Sequence, residues 1–109
     1  MTTTLKEIDE EFGYRVSKAL EQALGETVMN VVYTVLRRDF GIGNDEIAAN
    51  PNALKEVLRR FFGPSGLDFL EELISREIIA EFELPAKLEE ASKTLAEVLR
   101  IARLKVSPE

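Results

Sequence analysis

Residues 26–40 read ETVMNVVYTVLRRDF, and the fold turns on whether they make a strand or a helix. Val28, Val31, Val32, Thr34 and Val35 are β-branched and favour a strand by propensity. Their spacing points the other way. Val28, Val31, Val32, Val35 and Leu36 fall at i, i+3, i+4, i+7 and i+8, the series that lines one face of a helix. Fifteen residues is also long for a strand, and Gly41 follows where a helix needs a left-handed cap. The spacing predicts a helix over 26–40 and, with it, an all-α protein.

The flanking segments agree. Upstream, Thr3 or Thr4 can cap a helix that carries Leu5, Ile8, Phe12, Val16, Ala19, Leu20 and Ala23 at helical intervals, and Gly25 is placed to end it. Gly13 lies inside this helix at a cost of roughly 1 kcal/mol against alanine, which points to a neighbouring helix in close approach. Downstream, Asn44 can cap a short turn with Asp45 and Glu46 at its positive end and Ile47 facing inward. Asn50-Pro51 is a helix start. That helix carries Leu54, Val57, Leu58, Phe61 and Phe62 and stops at Gly63-Pro64. The next runs from about Ser65 to Phe82 with Leu67, Leu70, Leu73, Ile74, Ile78 and Phe82 on one side. Pro85 opens a long last helix over 85–106. The expectation is a single compact all-α domain over 1–109, built of five to six helices.

A phrase recurs in this chain: LRRDFG at 36–41 and LRRFFG at 58–63. Arg37, Arg38, Arg59 and Arg60 fall in the last turns of two helices, where cations complement the negative end of the helix dipole. They are the candidate basic patch, and the phenylalanine before each glycine is expected to fold back onto the core. Two loosely matched copies fall short of the three or more that a stacked repeat array needs.

Composition narrows the function. The 109 residues are 45% hydrophobic and 31% charged, a globular balance, and contain neither cysteine nor histidine. Ser-His-Asp and Cys-His machinery and thiolate zinc sites therefore cannot be built. No phosphate-binding glycine loop occurs, and GIGN lacks the spacing of a dinucleotide site. No cofactor and no catalytic residue is assigned. Metal binding would rest on carboxylates alone: Glu7 with Glu11, or Glu77 with Glu81, each at i, i+4. A magnesium-dependent phosphate enzyme using such glutamates is one alternative; a solvated acidic face is the simpler reading, and no metal ligand is assigned. A nucleic-acid-binding regulator is another alternative, since residues 45–62 read superficially as helix-turn-helix. A recognition helix presents basic and amide groups near its N-terminal end; here that end reads NPNALKE, and the arginines come at the far end. The net charge of −6 further opposes nucleic-acid and anionic-membrane binding. No membrane-length apolar run and no signal-peptide core are present, and the absence of cysteine fits a reducing cytoplasm.

The favoured expectation is a noncatalytic interaction module that self-associates. In the last helix Leu84, Leu88, Ala91, Leu95, Val98 and Ala102 follow alternating four- and three-residue steps, a heptad-like seam. Leu88, Ala91, Leu95, Val98 and Ala102 are the candidate interface, with a homodimer or another protein partner across it.

Three segments also carry a family resemblance: ALGETVMNVVYTVLRRDFGI, EIAANPNALKEVLRRFFG and GLDFLEELISREI. Their order is a glycine-led helix with an arginine-aromatic-glycine stop, an isoleucine turn, an Asn-Pro start, a second stop and an acidic-apolar helix. Over residues 12–84 this pattern resembles the Nitrosopumilus output domain, a small helical module of signalling proteins in ammonia-oxidising archaea. The resemblance implies an archaeal, cytoplasmic, all-helical module for signalling output or interaction. It rests on caps and core positions and carries no active-site residues across.

Overall fold

Residues 26–40 are helical. The computed structural model describes residues 5–90 and 94–106, and among them the elements are α1 (Leu5–Leu24), α2 (Glu26–Phe40), a 3-10 helix (Asn44–Ala49), α3 (Pro51–Glu81), α4 (Lys87–Glu90) and α5 (Leu95–Lys105), with no strand. Thr3 and Thr4, the expected caps of α1, lie outside the described residues. In α2 the buried stripe is Met29, Val32, Tyr33, Val35 and Leu36, while Val28 is half-buried and Val31 exposed. The helical period thus prevails over β-propensity, with the apolar face turned about one residue from the expected one. Gly25 (φ 92°) makes the one-residue corner between α1 and α2, a backbone conformation that L side chains resist.

The centre is α1 against α3. Phe12, Val16, Ala19 and Leu20 meet Leu54, Val57, Leu58, Ile74, Ile78 and Phe82 in one buried cluster. The Phe12 and Phe82 rings lie 5.1 Å apart, and Arg15 stacks over Phe82 while bonding both the Glu81 carboxylate and its carbonyl. The Cα radius of gyration is 13.6 Å, close to the ~13 Å of a compact chain this long.

Gly13 explains itself in the tertiary structure. The 3-10 helix crosses α1 there, and a Cβ on Gly13 would collide with the Asp45 carbonyl oxygen. One turn on, the Ser17 hydroxyl donates to the Asn44 carbonyl at 2.9 Å. The neighbour is a 3-10 turn, where the sequence suggested a helix. Two expected caps also differ. Asn44 is the first residue inside the 3-10 helix and Gly43 precedes it, its N–H donated to the Glu46 carboxylate at 2.8 Å. Asn50 does precede α3, but its amide donates back to the Glu46 carbonyl.

Within α3, Gly63 adopts φ 76°, ψ 172°, and Pro64 follows. Proline has no N–H for the helical ladder, so the helix kinks into two limbs, 51–62 and 64–81, at the break the sequence marked.

The long last helix is corrected. The region after Pro85 holds α4 and, separately, α5, which starts at Leu95 because its N-terminus has dedicated acceptors. The Thr94 hydroxyl accepts the Glu97 N–H, and the Glu71 carboxylate accepts the Leu95 N–H at 3.1 Å. Thr94-x-x-Glu97 is a capping-box sequence. The seam is corrected with it. Leu95, Val98 and Ala102 are buried within the single chain, Leu95 at 0% exposure, and join the same cluster as Ile74 and Ile78. Leu88 packs half-buried against that cluster, and Ala91 lies outside the described residues. Burying a leucine or valine side chain contributes about 1.5–3 kcal/mol each; freeing this face for a second chain would forfeit that. Leu95, Val98 and Ala102 thus pack inside the domain. Lys105, at the end of α5, donates to the carbonyls of Phe82 and Glu83, closing the C-terminal end of α3.

Candidate protein-interaction surface

The repeated phrase ends both α2 and the first limb of α3, and the two ends lie side by side. At the end of α2, Gly41 is left-handed (φ 67°) and its N–H bonds the Arg37 carbonyl. Ile42 then turns back against the core while Phe40 stays outside. In the first limb of α3 the stripe Leu54, Val57, Leu58 is buried, but its continuation Phe61 runs past the end of the core. Phe61 lies over the outer face of α2, beside Val31, Val35 and Arg38. Phe62 packs over Gly66, whose added Cβ would come within 2.8 Å of the Phe62 Cβ. Phe69 stands out one turn beyond.

The expected fold-back of Phe40 and Phe62 onto the core is corrected, and other large apolar side chains are exposed with them. Phe40 is 37% exposed, Phe61 50%, Phe62 45%, Phe69 62% and Val31 49%. Phe12 and Phe82 alone of the six phenylalanines are buried. At ~200 Å² per ring the four exposed ones together leave about 400 Å² of apolar surface in water. Spacing gave no warning. Leu54, Val57, Leu58, Phe61 and Phe62 fall at i, i+3, i+4, i+7 and i+8, the series of one helical face, yet the last two stay outside.

Arg37, Arg38, Arg59 and Arg60 are gathered around this shoulder, all exposed. Arg38 pairs with Asp39 at 2.9 Å, Arg60 reaches both Asp39 and Glu56, and Arg59 pairs with Glu56 at 2.7 Å. The hydrogen bond from Arg38 holds the Asp39 carboxyl below its usual range, and that from Arg59 does the same for Glu56. Arg60 also lies over the Phe40 ring, 5.4 Å from its centre. Arg37 donates to the Asn44 side-chain oxygen. Two of the arginines therefore do more than close helix ends: Arg60 lies over the exposed Phe40 ring and Arg38 borders Phe61.

Two other concavities differ in kind. The cleft between α3 and α5 mixes polar and apolar walls; Glu71 pairs there with Lys55 and Glu72 with Arg76, while the buried Ser75 hydroxyl has no hydrogen-bond partner among the described residues. The groove between α1, the 3-10 helix and α5 mixes both charge signs and is bridged by Arg103 and Asp9 at 2.7 Å. Of the carboxylates weighed as metal ligands, Glu81 is held by Arg15. Among the described residues no group of three or more metal-ligating side chains gathers, and no helix is long and apolar enough to cross a membrane. Compared with protein-family models, curated proteins and solved structures, the chain matches none.

Proposed function

We propose that this chain is a noncatalytic protein-interaction module, of the kind used for signalling output, and that it binds through the phenylalanine-arginine shoulder formed by α2 and α3. The observation that carries this reading is the exposure of Phe40, Phe61, Phe62 and Phe69, four of the chain's six phenylalanines, at the end of α2 and along the two limbs of α3. Leaving about 400 Å² of ring surface in water forgoes on the order of 10 kcal/mol of gross burial, a sacrifice that a binding surface explains. Composition supports it. Four of the chain's eight arginines frame the shoulder, while its six lysines lie elsewhere in the sequence, and protein interfaces are rich in phenylalanine and arginine and poor in lysine. The resemblance over residues 12–84 to an output domain fits the same use.

The test is selection of a displayed random-peptide library on the wild-type chain, with counter-selection on Phe61→Ser/Phe69→Ser. Both positions are exposed, so the double variant should keep the wild-type circular dichroism and melting temperature. Peptides that bind the wild type and not the variant are the expected result. A folded variant that retains every peptide would end this assignment of the surface.

A further inference from the structure

Resting on that reading, we propose that the shoulder's partner is an acidic amphipathic segment, its apolar side chain seated between α2 and the first limb of α3 and its carboxylates meeting Arg37 and Arg38. The seat is an open cleft of about 500 Å³ lined by Val31, Val35 and Phe61, with Asn30, Thr34 and Arg38 at its edges. Its walls are mainly apolar, and a guanidinium stands at one border. A ligand that fills it presents an aliphatic or aromatic side chain with an anion close by.

Charge selects the occupant. The shoulder holds four arginines against two carboxylates, Asp39 and Glu56, a surplus of two positive charges. The remaining ten lysines and arginines and eighteen acidic residues leave the rest of the chain at −8. A second copy meeting shoulder to shoulder would set surplus against surplus between two molecules that each carry −6. Like-charge juxtaposition of that kind is what interfaces avoid. A nucleic acid draws its affinity from the number of phosphates neutralised, and its backbone would run on from the shoulder across an anionic surface. A short acidic peptide suits both facts. Its carboxylates meet the surplus locally, within a screening length of about 8 Å, and the peptide ends before the surrounding negative field opposes it.

The experiment reads the composition of the shoulder-dependent peptides from the library selection. They should be enriched in Asp and Glu adjacent to Leu, Ile or Phe. The tightest, synthesised and titrated into ¹⁵N-labelled protein, should shift amides of residues 30–38 and 59–62. Each Glu→Gln change in the peptide should weaken binding by up to about fivefold, as for an exposed ion pair. Arg37→Gln/Arg38→Gln in the protein should weaken it similarly at unchanged melting temperature. Shoulder-dependent peptides that are neutral or basic would overturn the acidic partner while leaving the interaction surface in place. So would a dimer in sedimentation equilibrium that Phe61→Ser/Phe69→Ser dissolves. Recovery of no shoulder-dependent peptide would sink both readings. Oligo(dT) binding in fluorescence anisotropy that the same double variant abolishes would likewise replace both with nucleic-acid recognition.

Discussion

Replacing Gly13 with alanine sets two effects of opposite sign against each other. Helix propensity alone favours the change, because alanine in a helix interior is about 1 kcal/mol better than glycine. The crossing of α1 by the 3-10 helix opposes it. The new Cβ would collide with the Asp45 carbonyl oxygen and stand 3.1 Å from the carbonyl carbon and 3.2 Å from the Asp45 Cα. All three are backbone atoms, so no side-chain rotation relieves the overlap, and the 3-10 helix must move off α1. Overpacking of this kind costs typically 1–3 kcal/mol. The shift also stretches the Ser17–Asn44 hydrogen bond, 2.9 Å long in the wild type, worth about 1 kcal/mol. The sum is a net loss of about 1–3 kcal/mol. Urea denaturation should show a lower midpoint at unchanged slope, and the melting temperature should fall by at least about 4 °C. An alanine variant as stable as the wild type, or more so, would mean that the crossing is looser than described and that Gly13 answers only to helix propensity.

Leu95→Ala should cost about 2–5 kcal/mol, the range for truncating a fully buried leucine, with no change in mass by light scattering; a change in oligomeric state at full stability would return the seam to an interface. Tyr33 supplies a pH prediction. Its hydroxyl donates to the Glu21 carboxylate at 2.8 Å, and burial first, then that bond, push its pKa well above the ordinary 10.0. The unfolded chain therefore releases this proton first as pH rises, so stability is full below about pH 10 and declines above it. Tyr33→Phe should flatten the decline in urea midpoints on the alkaline side of pH 10, and an unchanged slope would assign the loss to other groups.

Much of this architecture is local, and local chemistry is what a sequence displays. The 3.6-residue spacing within 26–40 decided helix over strand because burying one face of a helix outweighs the small β-preference of valine. Gly25, Gly41 and Gly63-Pro64 marked the corners because left-handed backbone and a missing N–H are properties of single residues. Thr94-x-x-Glu97 also marked a helix start, and the heptad-like steps from Leu84 to Ala102 concealed it by running across the break. What spacing could not supply is how far each neighbour extends. Leu95, Val98 and Ala102 look alike whether the apolar face opposite belongs to the same chain or another; the return of α5 onto α3 decided that they are core. Phe61 prolongs the Leu54–Val57–Leu58 stripe in sequence, yet the core ends before it does in space. Periodicity fixes the direction in which a side chain points from its helix axis. Whether water or protein waits there depends on where the other helices stop, and that belongs to the tertiary structure alone.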